Sequence, residues 1–201
     1  MKTLPVCNKA VCLLTVLAIL SLCAISAVGQ VSILQNSDGA GATGWAPPDP
    51  NAAVGPNNIV QAVNNNILFF NKSGTLISQQ TLNTFFNATS GGDPHVIYNE
   101  ITGRYALEAI WDNASGAMVG VCFAVSDTSD PTGSWHKTFI TVPGMWDGYG
   151  GNGIGYNADA YVVHVNGFNN QFAVVAANNN VNLAYTMVTA PSGVRIGRPA
   201  F

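Results

Sequence analysis

The feature that most constrains the fold of this 201-residue chain is a succession of short apolar runs separated by turn residues. The runs are rich in Val, Ile, Phe and Tyr, and beyond residue 50 no helical period extends over ten or more residues. Such runs, bounded by Gly, Asn and Pro, predict β-strands joined by tight turns. The predicted strands fall into three sets. The first set is Ile59–Val63, Ile67–Phe70 and Thr75–Leu82, and the second is His95–Tyr98, Arg104–Trp111, Met118–Ser126 and Ser134–Val142. The third set is Gly153–Tyr156, Ala160–Val165, Gln171–Ala177 and Asn182–Val188.

The openings of the three sets repeat along the chain. Val54-Gly55, Ile97-Tyr98 and Ile154-Gly155 occupy equivalent places, 43 and 57 residues apart. Spacings of this order are typical of β-propeller blades. We therefore expect an all-β fold of β-propeller blades, each a four-stranded antiparallel sheet. About two and a half to three blades are expected, over residues 51–90, 91–145 and 146–201. A β-sandwich is the alternative.

The first 29 residues have the layout of a secretory signal peptide. Lys2 and Lys9 form a basic start, Val11–Val28 is apolar, and Ala27 and Gly29 place small residues before a cut ahead of Gln30. We expect a secreted or periplasmic protein with no membrane span after cleavage; the alternative is a membrane anchor. The Gly-, Ala-, Ser- and Pro-rich residues 30–50 are expected to form a flexible leader.

The charge and the cysteine content of the chain limit the classes of function that it can have. Only 8% of the residues are charged and the formal net charge is −3, whereas a nucleic-acid binder needs a basic face. Once the signal peptide is removed, Cys122 is the one remaining cysteine, and it lies in the apolar run Val119–Val125. We expect Cys122 to be a small buried hydrophobe.

One predicted turn, Thr128–Trp135, resembles the Asp-box of sialidase-like propellers. Asp130, Gly133 and Trp135 match that motif in kind and order, with one residue inserted before the glycine and the threonine before the tryptophan lost. The resemblance implies that Asp130 caps the turn, that Gly133 supplies an open φ and that Trp135 packs the hairpin onto its neighbour.

Three longer phrases resemble a group of secreted bacterial β-propeller proteins. They are Asp49–Asn57, Gly91–Arg104 and Ser126–Trp135, and the resemblance runs from about Asp49 to Phe168. A complete propeller has four to eight blades. The resemblance therefore implies an N-terminal fragment of a longer chain or, if the chain is complete, an oligomer whose copies close a ring together.

The predicted ligand-binding loop is the glycine-flanked segment Trp146–Asn152. Trp146 and Tyr149 supply rings that stack on apolar sugar faces, while Asp147 and Asn152 supply oxygens for hydroxyl groups. Trp111 is a further candidate. The alternative is an inter-blade connection in which Trp146 only fills space between blades.

Catalytic residues are not predicted with any specificity. Sialidase-type hydrolysis needs three arginines around a carboxylate, and Arg104, Arg195 and Arg198 do not form the expected pattern. Glu108 and Asp112 are the carboxylates nearest an aromatic strand end, and we expect Glu108 on a solvent face or opposite a neighbouring strand.

No cofactor is predicted, although binding of Ca²⁺ is an open alternative. Asp49, Asn51 and Asp93 offer oxygen ligands of the kind Ca²⁺ takes, without an EF-hand loop. The three histidines, His95, His136 and His164, lack the spacing of a zinc site. We expect them to be structural.

These observations predict a secreted binding or scaffold protein without catalytic activity, with carbohydrate as the expected ligand. The alternatives are the N-terminal part of a sialidase-like glycoside hydrolase and an extracellular module that adheres to protein.

Overall fold

The computed structural model describes residue 33 and residues 36–142, 153–164, 171–177 and 182–189. Within these ranges the chain forms twelve β-strands and one short helix. The strands are β1 (Asn51–Val54), β2 (Asn58–Val63), β3 (Asn66–Asn71), β4 (Leu76–Thr81), β5 (Ser90–Asn99), β6 (Arg104–Asp112), β7 (Met118–Ser126), β8 (Trp135–Thr141), β9 (Gly153–Tyr156), β10 (Ala160–His164), β11 (Gln171–Ala176) and β12 (Tyr185–Thr189); the helix α1 spans Leu82–Phe86. None of the described helices is both long and apolar enough to span a membrane.

The strands form three four-stranded antiparallel sheets, each built from consecutive strands. Sheet 1 contains β1–β4, sheet 2 contains β5–β8 and sheet 3 contains β9–β12. A β-sandwich of Greek-key type would send successive strands to different sheets. The predicted all-β fold with four-stranded antiparallel blades is therefore confirmed.

Two apolar cores hold the sheets together. Val60 and Phe69 of sheet 1 belong to the first core, and Ile140 of sheet 2 and Val163 of sheet 3 belong to the second. Leu107 contributes to the first core and its neighbour Ala106 to the second, because successive side chains of a strand point to opposite faces. Sheet 2 is thus buried on both faces, which explains the nearly continuous apolar sequence of β6 and β7.

The helix α1 was not expected from the sequence, which predicts that the preceding strand continues to Leu82. The Thr81 hydroxyl accepts a hydrogen bond from the Thr84 N–H at 3.2 Å, which caps the first turn. At the other end Asn87 takes a left-handed conformation with φ 54°. The helix buries Leu82, Phe85 and Phe86, and five residues are too few to show a helical period.

Two of the tight turns expected between the strands end in glycine. Gly74 closes the β3–β4 turn with φ 81° and Gly103 closes the β5–β6 turn with φ 69°, conformations that glycine adopts without steric cost. The first strand of sheet 1, β1, was not predicted, and it pairs with β2 over four residues.

Cys122 is fully buried in β7, as expected of a small hydrophobic residue. Burial raises the pKa of its thiol to about 12, so the reactive thiolate is disfavoured.

Candidate functional site

Most of the predicted ligand loop lies outside the described residues. Trp146, Asp147, Tyr149 and Asn152 all fall within residues 143–152, so their role stays a prediction. Trp111 is half-buried in β6, and its ring lies 5.0 Å from that of Phe139 at an interplanar angle of 44°. Its contact with ligand also stays a prediction.

The turn that resembles an Asp-box joins β7 to β8. Asp130 Oδ1 accepts hydrogen bonds from the Thr132 N–H at 2.9 Å and from its hydroxyl at 2.7 Å, and these bonds lower the pKa of Asp130. Trp135 Nε1 donates to the Pro131 carbonyl at 2.8 Å, and its ring meets Phe85 of α1 edge-on at 5.2 Å. Trp135 thus joins the hairpin of sheet 2 to the helix that follows sheet 1.

Gly133 does not play the part implied by the resemblance. Its φ lies outside the left-handed region, and a Cβ there would meet the Asp130 carbonyl oxygen at 3.6 Å, an ordinary contact.

Glu108 is completely buried, so its expected placement on a solvent face is wrong. In the register between β5 and β6 it stands opposite His95, as the alternative expectation of a cross-strand position allows. His95 Nδ1 accepts a hydrogen bond from the Ile154 N–H at 3.2 Å, which links sheet 2 to sheet 3. The face of β6 that carries Glu108 is covered by sheet 3.

The structure brings together a different set of residues, which we call the Trp45 cavity. It has a volume of about 530 Å³. Its lining comes from the leader, the β2–β3 turn, the start of β5 and the end of β6: Trp45, Ala46, Pro47, Asp49, Asn64, Ser90, Gly91, Asp93 and Asp112. An indole ring, a carboxamide and three carboxylates therefore share one concave surface.

Asn64 fastens the leader at the edge of this cavity. It is almost fully buried and has φ 51°, a left-handed conformation that asparagine tolerates better than most residues. With its oxygen accepting from the Thr43 hydroxyl, the Asn64 amide donates to the carbonyls of Pro47 and Pro48, each at 2.8 Å. Earlier in the same segment, the Ala40 N–H donates a hydrogen bond to Gln61 Oε1 of β2 at 2.7 Å.

Two glycines allow the walls of the cavity to approach each other. A Cβ on Gly91 would lie 2.8 Å and 2.9 Å from the carboxylate oxygens of Asp112. A Cβ on Gly92, which has φ 91°, would lie 3.1 Å from the Trp45 ring and 3.3 Å from the Asn64 carbonyl oxygen. The Gly-Gly pair is therefore a requirement for close packing at this site.

The carboxylate of Asp112 is partly desolvated in the cavity. Burial raises its pKa, and its Oδ1 is buried without a hydrogen-bond partner in the described part of the chain. Trp45, by contrast, is 50% exposed, so a large part of its ring is open to a ligand.

The carboxylates of the cavity do not converge as metal ligands would. Within the described ranges, no group of three or more His, Cys, Asp and Glu side chains could hold a metal ion. Asn51, expected beside Asp49 and Asp93 as an oxygen ligand, uses its Oδ1 to accept from the Val96 N–H at 2.7 Å. The side chain of Asn51 thus joins β1 to β5.

Sequence reasoning missed this site because its members are distant along the chain. Trp45 was placed in a flexible leader and Asn64 in a polar turn, while Asp112 was considered only beside Glu108. One signal was available: a tryptophan followed by Ala-Pro-Pro-Asp-Pro is unusual in a segment that is otherwise small and polar.

Comparison with known proteins yields few matches. No model of a known protein family and no curated protein matches the chain. An exo-β-1,3-galactanase from Phanerochaete chrysosporium, solved with β-1,3-galactotriose, is similar at 13% identity and a TM-score of 0.39; the match covers 71% of this chain and 38% of that one. A GH43 endo-arabinanase from Bacillus licheniformis is similar at 15% identity and a TM-score of 0.30, over 70% of this chain and 52% of that one. The chain thus spans about two fifths to one half of these proteins.

Proposed function

We propose that this chain is a carbohydrate-binding protein without catalytic activity and that the Trp45 cavity is its binding site. The observation that carries the proposal is the meeting of a half-exposed tryptophan with three carboxylates in one cavity. An indole face packs against the C–H face of a sugar ring, and the oxygens accept hydrogen bonds from its hydroxyl groups.

The shape of the cavity is held by groups that need no ligand. Asn64 fixes the leader through the carbonyls of Pro47 and Pro48, while Gly91 and Gly92 let Asp112 and Trp45 approach the backbone. A site that is already formed loses little conformational entropy when the ligand binds. Such a site suits a polar ligand that makes few strong contacts, such as a sugar.

Export to the periplasm or cell exterior is part of this proposal. A signal peptide over residues 1–29 would deliver the domain to a compartment where extended glycans are found.

A glycoside hydrolase is the second candidate, and one observation favours it. Asp112, whose pKa is raised by burial, shares the cavity with Asp49 and Asp93. A carboxyl group whose pKa is raised by burial, in one cavity with further carboxyl groups, is an arrangement that can serve general acid and base catalysis.

A binding experiment tests the first candidate. We expect neutral oligosaccharides on a glycan array to retain the full chain, and Trp45→Ala to weaken the best interaction by roughly tenfold, the effect of losing one aromatic contact in a ligand site. Trp146→Ala is the matched control, since it removes an indole from the predicted loop instead. Undiminished binding by Trp45→Ala would refute the assignment of the cavity.

Product analysis on the bound oligosaccharides separates the two candidates. Mass spectrometry should show an intact glycan after prolonged incubation. Shortened products that disappear with both Asp112→Asn and Asp93→Asn would instead establish hydrolysis.

A further inference from the structure

A second cavity lies on the outer side of the contact between sheets 1 and 2. It has a volume of about 340 Å³, and we call it the Lys137 groove. Its walls include Ser78 and Gln80 of β4, Phe85 of α1, and Ser134, Trp135 and Lys137 at the start of β8. No residue of this groove lines the Trp45 cavity.

The ammonium group of Lys137 is directed along the wall of this groove. It donates a hydrogen bond to the Phe85 carbonyl and lies 4.3 Å from the centroid of the Phe85 ring, a cation–π contact. The hydrogen bond to Phe85 uses one of its three donors. The charge is therefore positioned at the groove although the side chain as a whole is exposed.

Lys137 lacks an anionic partner in the part of the chain that the structure describes. There the ionisable side chains in close contact are His136 and Asp127, at 2.5 Å, and this contact does not include Lys137. Although the side chain is largely exposed, partial desolvation of the ammonium group at the groove lowers the pKa of Lys137, and this desolvation is a cost to its charge. A bound anion would offset this cost.

The rest of the groove offers what a sugar ring needs. The half-buried Trp135 indole is held by its bond to the Pro131 carbonyl and by the edge-on contact with Phe85. On the other wall, Ser78 and Gln80 carry hydroxyl and amide groups. Apolar surface, neutral polar groups and one cation together fit a sugar that bears a carboxylate.

We propose that the Lys137 groove is a second binding site, in which Lys137 pairs with the carboxylate of a uronate sugar. The site is separate from the Trp45 cavity and of opposite charge, since that cavity is lined by three aspartates. One domain would then hold a neutral sugar and an acidic sugar at two places on its surface.

Isothermal titration of the full chain with trigalacturonate tests the proposal. We expect saturable binding that weakens with added salt, and no comparable binding of neutral galactotriose at this site. Lys137→Met, which keeps most of the apolar stem, should weaken trigalacturonate binding by roughly tenfold, as loss of a charge-assisted hydrogen bond does. Lys137→Arg should restore most of it.

Lys72→Met is the matched control, because Lys72 is an exposed lysine in the β3–β4 turn, outside the groove. Equal losses in the Lys72 and Lys137 variants would reveal general charge attraction and overturn the proposal, as would absence of trigalacturonate binding. If Lys137→Met fails to fold, Gln80→Ala on the opposite wall provides the same test. Trp45→Ala should leave trigalacturonate binding unchanged, so this proposal and the proposed function can fail independently.

Discussion

At the scale of single residues, two aspartates show how position sets the behaviour of one side chain. Asp130 lies in an exposed turn, where hydrogen bonds from Thr132 favour its ionised form and lower its pKa. Asp112 lies against Gly91, where burial of its carboxylate raises its pKa. Asp112 ends β6 and Asp130 lies in the turn after β7; desolvation dominates at Asp112, whereas hydrogen bonds dominate at Asp130.

These opposite shifts predict opposite effects of substitution on stability. Because the pKa of Asp112 is higher in the folded state, its ionisation destabilises the fold as pH rises through the ordinary range of Asp. Asp112→Asn should therefore raise the free energy of unfolding at pH 7 relative to wild type, and the gain should shrink towards pH 3. Urea unfolding followed by tryptophan fluorescence at both values measures this.

Asp130→Asn is the control of opposite sign. The pKa of Asp130 is lowered in the folded state, so its stabilising contribution exists at pH 7 and is lost as pH falls. The variant should be less stable than wild type at pH 7 and closer to it at pH 3. If both variants shifted stability in the same direction at pH 7, the assigned environments would be wrong.

At the scale of elements, one hairpin turn recurs in three places. Its sequence is Asn or Asp, any residue, Ser or Thr, then Gly: Asn71–Gly74, Asn113–Gly116 and Asp130–Gly133. In each, the first side chain accepts hydrogen bonds from the N–H and the hydroxyl of the third residue. These side-chain bonds form the turn locally, which explains why Asn or Asp stands at its first position.

Substitution in this turn should distinguish the acceptor oxygen from the rest of the side chain. Asn71 Oδ1 also accepts from the Thr75 N–H at 2.9 Å, so Asn71→Ala removes three bonds. We expect the free energy of unfolding to fall by about 1–2 kcal/mol. Asn71→Asp should not lose stability, because a carboxylate oxygen accepts the corresponding two bonds from Thr132 in the third turn.

Chemical denaturation of the two Asn71 variants provides the measurement. Lys72→Ala, in the same turn but without a bond to Asn71 Oδ1, serves as the control and should match wild type. A loss of stability in Asn71→Asp as large as in Asn71→Ala would contradict the proposed role of the oxygen.

At the scale of the whole molecule, Tyr105 joins two sheets with a single hydroxyl group. The fully buried Tyr105 of β6 donates to the Asn58 carbonyl at 2.7 Å and accepts from the Gly55 N–H at 2.9 Å. A Cβ on Gly55 would lie 2.3 Å from this oxygen. Gly55 in the phrase Ala-Val-Gly-Pro-Asn is thus explained by contact with the next sheet.

Removal of that hydroxyl should weaken the contact between sheets 1 and 2. Tyr105→Phe removes both bonds of the hydroxyl, while the Gly55 N–H keeps its bond to the Asn58 carbonyl at 3.0 Å, and we expect a loss of about 0.5–1.5 kcal/mol in the free energy of unfolding. Tyr185→Phe is the control, since its hydroxyl accepts a longer, exposed bond from the Thr141 N–H at 3.3 Å. Equal stabilities of the two variants would show that the Tyr105 bridge contributes nothing.

Most of the strands and turns followed from the sequence alone. Alternation along a strand, the Asn-x-Ser-Gly turns and the glycines at positive φ are local properties, and their causes lie within a few residues of each other. The sequence did not predict the short helix α1, because its cap and its buried residues Phe85 and Phe86 lie within a single turn, which is too short to show a helical period.

Only the tertiary structure decided which side chains meet. Trp45, Asn64 and Asp112 come from a leader, a turn and a strand end, and no local pattern connects them. Glu108 shows the same limit, because its burial depends on sheet 3, which covers the face of β6 that carries it. Proximity between distant segments depends on how whole sheets pack, so the strands were determined by the sequence itself and the cavities by the assembled fold.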